Sequence, residues 1–281
     1  MSDIELVGVG VRLTIRPERG GKILSLHGAG RQWLAPGDDA RSAESDSFTA
    51  AEMGGWDECA PTIDACAVGG LLAPDHGDVW AREWAVERVD ASSALLSVRS
   101  EACGFWLRRE IVLGRAQGAP VQIRYTAESL GRRVPFLWAA HPQFLAEAGS
   151  RVILPPEVGA VVDVLDPTHP VGPWSPALAG LDSLEPGGCR KLYVEPGTPV
   201  QTAALRHADG SELRLDWDER APYLGLWFDN RAYSREPVIA LEPSTGYFDA
   251  LDRAVGHGSA LWLEPGRPVA WELALTLSAA R

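Results

Sequence analysis

Four segments of this chain place titratable side chains where a sheet-forming sequence does not ordinarily want them. In Phe136-Leu137-Trp138-Ala139-Ala140-His141-Pro142-Gln143-Phe144 an imidazole ends an apolar run and proline follows. Proline cannot donate to a ladder, so His141 stands at the inner end of a strand and needs a hydrogen-bond partner or a ligand. Glu242 repeats that context in Pro237-Val238-Ile239-Ala240-Leu241-Glu242-Pro243. A buried carboxylate is costly unless it is paired or has a task. A base carboxylate and an acidic imidazolium presented in this way can transfer protons near neutral pH. The competing reading of His141 is an inert core histidine.

Two loops carry further candidates. Pro74-Asp75-His76-Gly77-Asp78-Val79-Trp80 sets His76 between two carboxylates that would help keep its ring charged. Gly54-Gly55-Trp56-Asp57-Glu58-Cys59 puts adjacent carboxylates beside an indole and two flexible glycines, a set that could hydrogen-bond a polyhydroxylated ligand. A surface-loop histidine and a solvated turn are the plainer readings.

Strands must position these groups. Odd positions of Val7 to Ile15 are apolar and even ones glycine or polar, which predicts a single strand there. The same alternation recurs over 121–126, 213–217 and 269–277. It marks antiparallel strands with one buried and one wet face. Further strands are predicted over 22–26, 83–89, 94–100, 105–113, 134–141, 151–154, 201–207, 223–228, 237–242 and 260–263. Only Tyr247 to Val255 could make about two helical turns. The 29 Gly and 21 Pro fall between the alternating runs, so the fold class is all-β, a sandwich or barrel formed as one domain over 1–281. The loop-rich stretches 34–82 and 155–190 are where a binding site is expected.

Composition narrows the partners. The net charge is −12, with 24 Arg and only 2 Lys, which argues against nucleic acid and anionic membrane surfaces. A hydrophobic content of 46% with 11 Trp spread along the chain excludes disorder. No run approaches 18 apolar residues, and the first residues lack a signal-peptide pattern. Cys59, Cys66, Cys103 and Cys189 show no metal-type spacing. Reduced thiols and a cytoplasmic location are expected, and a homodimer through sheet edges stays open.

The ordered set His76-Gly77, His141-Pro142-Gln143-Phe144 and Glu242-Pro243, closed by Leu263-Glu264-Pro265-Gly266-Arg267, resembles the aldose 1-epimerase (galactose mutarotase-like) family. The resemblance implies a large antiparallel β-sandwich with few short helices, a sugar cleft across one sheet, and interconversion of α and β anomers of a free aldose without a cofactor. It implies Glu242 as general base on the anomeric hydroxyl, His141 as general acid on the ring oxygen, and His76 as a sugar contact. Asp57, Glu58, Trp56 and Gln143 join the expected substrate contacts, and Asp229 is the stand-in for the family's substrate-binding aspartate. Trp56 and Trp80 could stack on a pyranose ring. The segment Gly54 to Glu58 stands where the family carries an Asn-Arg pair, and Gln143 where it carries tyrosine. Alternatives are a hexose-6-phosphate mutarotase with Arg82 on the phosphate, a glycoside hydrolase pairing Asp57 or Glu58 with Glu242, and a non-catalytic carbohydrate-binding or sensing protein. A Zn or Ca site at His76, Asp75 and Asp78 lacks a closed ligand set, so no metal is expected.

Overall fold

The computed structural model describes residues 2–280 apart from 38, 40, 42–44, 46 and 52. Two antiparallel sheets dominate. The larger, of twelve strands, runs in the order Ile4–Gly8, Val11–Arg16, Lys22–Gly28, Trp56–Cys59, Ala139–Pro142, Val238–Ser244, Tyr223–Asp229, Cys189–Val194, Ala160–Asp163 and Val171–Pro173. Two short strands, Arg31–Gln32 and Phe144–Leu145, pair off that path. The smaller sheet has eight strands, with Phe105–Val112, Val121–Ser129 and Val269–Ser278 at its centre. Leucine, isoleucine, valine and aromatic side chains from both inner faces form one continuous core, as alternating strands require when sheets stack face to face.

The all-β fold class therefore holds. A short helix, Leu251–Gly256, overlaps the segment Tyr247 to Val255 where two turns were expected. No helix among the described residues is long and apolar enough to cross a membrane. The run from Val7 to Ile15 is two strands instead of one, with a turn at Val9-Gly10 folding it into a hairpin. The alternation does not keep one face across the turn: Leu6 pairs with Leu13 and both are buried, whereas Val7 pairs with Arg12 and is exposed. Trp56–Cys59 and Ala160–Asp163 are strands inside stretches expected to be loops, and Cys189–Val194 begins at the end of one. Of these, Trp56–Cys59 lies beside the strand that carries His141. Trp56–Cys59 reads as irregular because its two acids face buried counter-charges and not solvent.

Register then aligns a row of side chains across the larger sheet. His141 lies opposite Asp57, and Ala139 opposite Ser244. Extending that second register by two residues brings His141 level with Glu242. Glu242 is opposite Gly225, and Gly225 opposite Tyr193. Gly225 is a required gap in this row. A Cβ there would stand 3.0 Å from Glu242 Oε2 and 3.3 Å from Tyr193 Cζ.

Candidate active site

His141 and Glu242, far apart in sequence, meet at 3.7 Å between Nε2 and Oε1. Both are buried. The remaining atoms of each are held from outside the pair. Lys191 Nζ donates to Glu242 Oε2, and Gln143 Nε2 lies 2.8 Å from His141 Nδ1. Glu242 Oε1 receives no hydrogen bond from any described residue. Lys191 also lies 3.6 Å from Asp249 Oδ1, which accepts the Tyr193 hydroxyl at 2.9 Å.

His141 borders a pocket of about 190 Å³ whose walls also include His76, Lys191, Asp249, Asp64 and Trp227, with Glu242 buried behind His141 and Lys191. That volume is the scale of a single sugar, well below the roughly 300–1,000 Å³ typical of drug-sized ligands. A larger groove, of about 420 Å³, crosses the outer face of the smaller sheet. Its Arg88, Arg108, Glu110, Arg124 and Glu272 already pair with one another or with Glu87, so it holds no spare reactive group.

His76 reaches the pocket from its loop. Its ring stacks on Phe48 at 3.8 Å, meets the His141 ring edge-on at 5.6 Å, and has Nδ1 3.0 Å from Asp75 Oδ2. The loop docks closely only because residue 77 is glycine. At φ +70° an added Cβ would sit 1.9 Å from the Ala60 carbonyl oxygen. The Asp78 carboxylate is absent from the His76 environment. It accepts Arg82 at 2.9 and 2.6 Å and Ser100 at 2.8 Å. Arg82 is thereby engaged, and it lines a different groove from the one that His141 borders. Among the described residues no cluster of His, Cys, Asp and Glu could hold a metal ion.

Four expected sugar contacts lie elsewhere. Successive side chains of Trp56–Cys59 point to opposite faces. Trp56 is in the core against Phe144, and Glu58 reaches across to the smaller sheet. There Glu58 Oε1 accepts Arg109 at 2.8 Å and Tyr125 at 2.9 Å, and Oε2 accepts Trp138 Nε1 at 2.7 Å. Asp229 accepts the backbone N–H groups of Ala232, Tyr233 and Ser234, closing the turn after its strand. Trp80 packs on Phe48 with Met53 in a separate apolar cluster. Asp57 alone of its pair keeps to the His141 side of the sheet, 3.0 Å from Lys22 Nζ. Both lysines of the chain are therefore buried beside a carboxylate on this sheet.

Electrostatics of the dyad follow from burial. Desolvation raises the Glu242 carboxyl above its usual range, with Lys191 opposing and Asp249 adding to the rise. Desolvation pushes the His141 imidazolium well below its ordinary value, and the positive charges of His76, Lys191 and Lys22 push it the same way. Glu242 does not offset these effects, because Lys191 already pairs with it. Lys191 itself is raised, since Asp249 and Glu242 outweigh its burial. Lys191, Tyr193 and Asp249 escaped notice in the sequence. The available signal was the rarity of lysine and the alternation Cys189-Arg190-Lys191-Leu192-Tyr193-Val194, which puts Lys191 and Tyr193 on one face.

A large antiparallel supersandwich with a small polar cleft across its bigger sheet defines the class: this is the galactose mutarotase-like fold. No protein-family model and no curated protein matches the sequence. Among solved structures, the chain is similar to the Slr1438 protein of Synechocystis (TM-score 0.78, 19% identity, covering 99% of this chain and 96% of that one). It is also similar to a galactose mutarotase-like protein of Lactobacillus casei (TM-score 0.73, 18% identity, 98% and 100% covered). A GalM/aldose epimerase homologue from C. elegans superposes with TM-score 0.71 at 16% identity, with 100% and 99% covered. At these identities the likeness is one of fold.

Proposed function

We propose that this chain is an aldose 1-epimerase acting on a free aldose. The observation that carries the reading is the His141–Glu242 pair, 3.7 Å apart, with His141 on the wall of a sugar-sized pocket. Ring opening needs one group to take the anomeric hydroxyl proton and another to protonate the ring oxygen. Glu242 Oε1, the carboxylate oxygen left without a donor, is the base. His141 Nε2 is the acid, and His76 contacts the sugar beside them. Once C1–C2 rotation has turned the aldehyde, reclosure runs the same transfers backwards, with Glu242 now the acid and His141 the base.

The opposed pKa shifts suit this cycle. Opening converts the pair from carboxylate and imidazolium to carboxylic acid and neutral imidazole, and burial narrows the gap between those two states. One proton shared by the dyad suffices, and its two apparent pKa values belong to the pair. The pocket's single ammonium already faces Glu242 and Asp249, with Asp64 and Asp75 nearby, which favours a neutral sugar over a phosphorylated one.

Exchange NMR on neutral and phosphorylated aldoses, read against buffer, tests the proposal. Anomer exchange should accelerate for at least one neutral aldose and fall on the order of 10²–10⁴-fold in Glu242→Gln and in His141→Asn. Binding without acceleration would leave a sugar sensor on the same fold. Release of an aglycone from chromogenic glycosides would favour a hydrolase instead.

A further inference from the structure

His141 must show the sugar a proton on Nε2, and what decides this is the group on Nδ1. That group is the Gln143 carboxamide, two residues along the chain, buried, with its nitrogen 2.8 Å from Nδ1. As oriented, the amide N–H donates to a bare Nδ1, so the neutral ring carries its proton on Nε2, aimed at Glu242 Oε1 3.7 Å away. The other end of the amide, Oε1, is also buried and accepts no hydrogen bond from any described residue. A buried orphan acceptor is costly, and nothing else fixes which end of the amide faces the ring.

We propose that Gln143 is a two-position positioning residue that sets the tautomer of His141. In one position its N–H donates to bare Nδ1 and the ring rests with Nε2–H against Glu242. Turned by half a rotation about its last torsion, it offers Oε1 to an Nδ1–H. The imidazolium needs that acceptor, and so does the neutral ring left after Nε2 has given its proton to the sugar. A carboxylate in this place would serve only the second position, and a hydrocarbon neither. The carboxamide serves both without a net charge beside the dyad, and its orphan oxygen is the acceptor held ready. The charged and titratable groups around the ring are Glu242 and Lys191 on one side, Asp57 and Lys22 on the other, and His76 from its loop. None of them bonds Nδ1, and besides Gln143 the ring has its own backbone as a hydrogen-bond partner.

This inference rests on the epimerase reading for its kinetic part but not for its spectroscopic part, which separates the two failures. The test uses the full chain labelled with ¹⁵N-histidine, compared with Gln143→Leu, Gln143→Glu and, to assign the signals, His141→Asn. At alkaline pH the wild-type His141 should show a protonated Nε2 and a bare Nδ1. Gln143→Leu should bring a protonated Nδ1 into the mixture, and Gln143→Glu should make it the main form. Unchanged tautomers in both variants would overturn the proposal whatever the activity. In anomer exchange, Gln143→Leu should lose about 10- to 100-fold in kcat with KM little changed, the scale seen for groups that orient a working imidazole. Gln143→Glu should keep kcat within about tenfold of wild type, since its carboxylate accepts from Nδ1–H, and should shift the alkaline limb of the rate profile to higher pH by favouring the imidazolium. A rise in KM at unchanged kcat in Gln143→Leu would instead make Gln143 a sugar contact and sink the positioning role.

Discussion

Glu58 and Glu242 sit on strands separated by one strand of the same sheet, both with no exposed surface and both ion-paired. They differ in how completely they are satisfied. Glu58 takes donors on both oxygens, from Arg109, Tyr125 and Trp138, and Arg109 in turn donates to the Gly21 carbonyl and lies over Trp84. Glu242 takes Lys191 on one oxygen and leaves the other bare towards an imidazole. Burial alone thus fails to separate a structural carboxylate from the one proposed as the base. The free lone pair and what faces it are what separate them.

The largest expected effect tests that contrast on the reactive side. Glu242→Gln keeps the shape of the side chain and removes its basicity, so anomer exchange should fall on the order of 10²–10⁴-fold while the protein still folds, because Asp249 remains near Lys191. Exchange NMR alongside a urea titration measures both. On the structural side, Glu58→Gln leaves Arg109 buried without its carboxylate and should cost about 3–5 kcal/mol in the same titration. The folded fraction should keep its rate, since Glu58 faces the other sheet. Equal losses of rate in the two variants would erase the distinction.

Much of the contrast was within reach of the sequence. Alternation located most strands, and the strand-end setting of His141 and Glu242 before proline singled out the two groups that the fold brings together. Parity could have separated Asp57 from Glu58, because neighbours on a strand face opposite ways. That required knowing that 56–59 is a strand, and a four-residue run with two acids and a cysteine does not look like one. Lys191 was hidden for the same reason. Its strand is polar at 189–191 because Arg190 and Lys191 find partners only once the sheet has formed: Arg190 on the carbonyls of Leu178 and Gly180, Lys191 on Glu242. Pairings between distant strands create these environments, and no local pattern encodes them.

A smaller effect probes the dyad through stability. The folded-state pKa of His141 lies below its unfolded value of about 6.5, so the native state binds this proton less readily than the unfolded chain. Its contribution is therefore fully present above about pH 6.5 and is lost as pH falls from there towards the depressed value. His207, lowered by burial and by Arg31, acts in the same direction. Asp57 and Glu58, raised by burial, act with the opposite sign. The difference between wild type and His141→Gln isolates one histidine. Denaturation midpoints at pH 7.5 and 5.5 should fall further in wild type than in the variant, and equal falls would mean that His141 is charged in the fold.

The smallest effect separates two indoles. Trp56 and Trp227 both lie on strands of the larger sheet, but Trp56 faces the core while Trp227 borders the pocket beside Tyr233 at 5.7 Å. If a sugar ring lies against an aromatic face here, the face is that of Trp227. Trp227→Leu should then raise KM by about 2- to 10-fold, the worth of one aromatic contact of roughly 0.5–1.5 kcal/mol. Trp56→Phe should leave KM unchanged and lower stability instead, because it opens space beside Phe144 in the core. A KM effect at Trp56 would require the Trp56–Cys59 strand to present its other face to the cleft. That would bring Glu58 to the sugar in place of Asp57, and the comparison between the two buried glutamates would have to be redrawn.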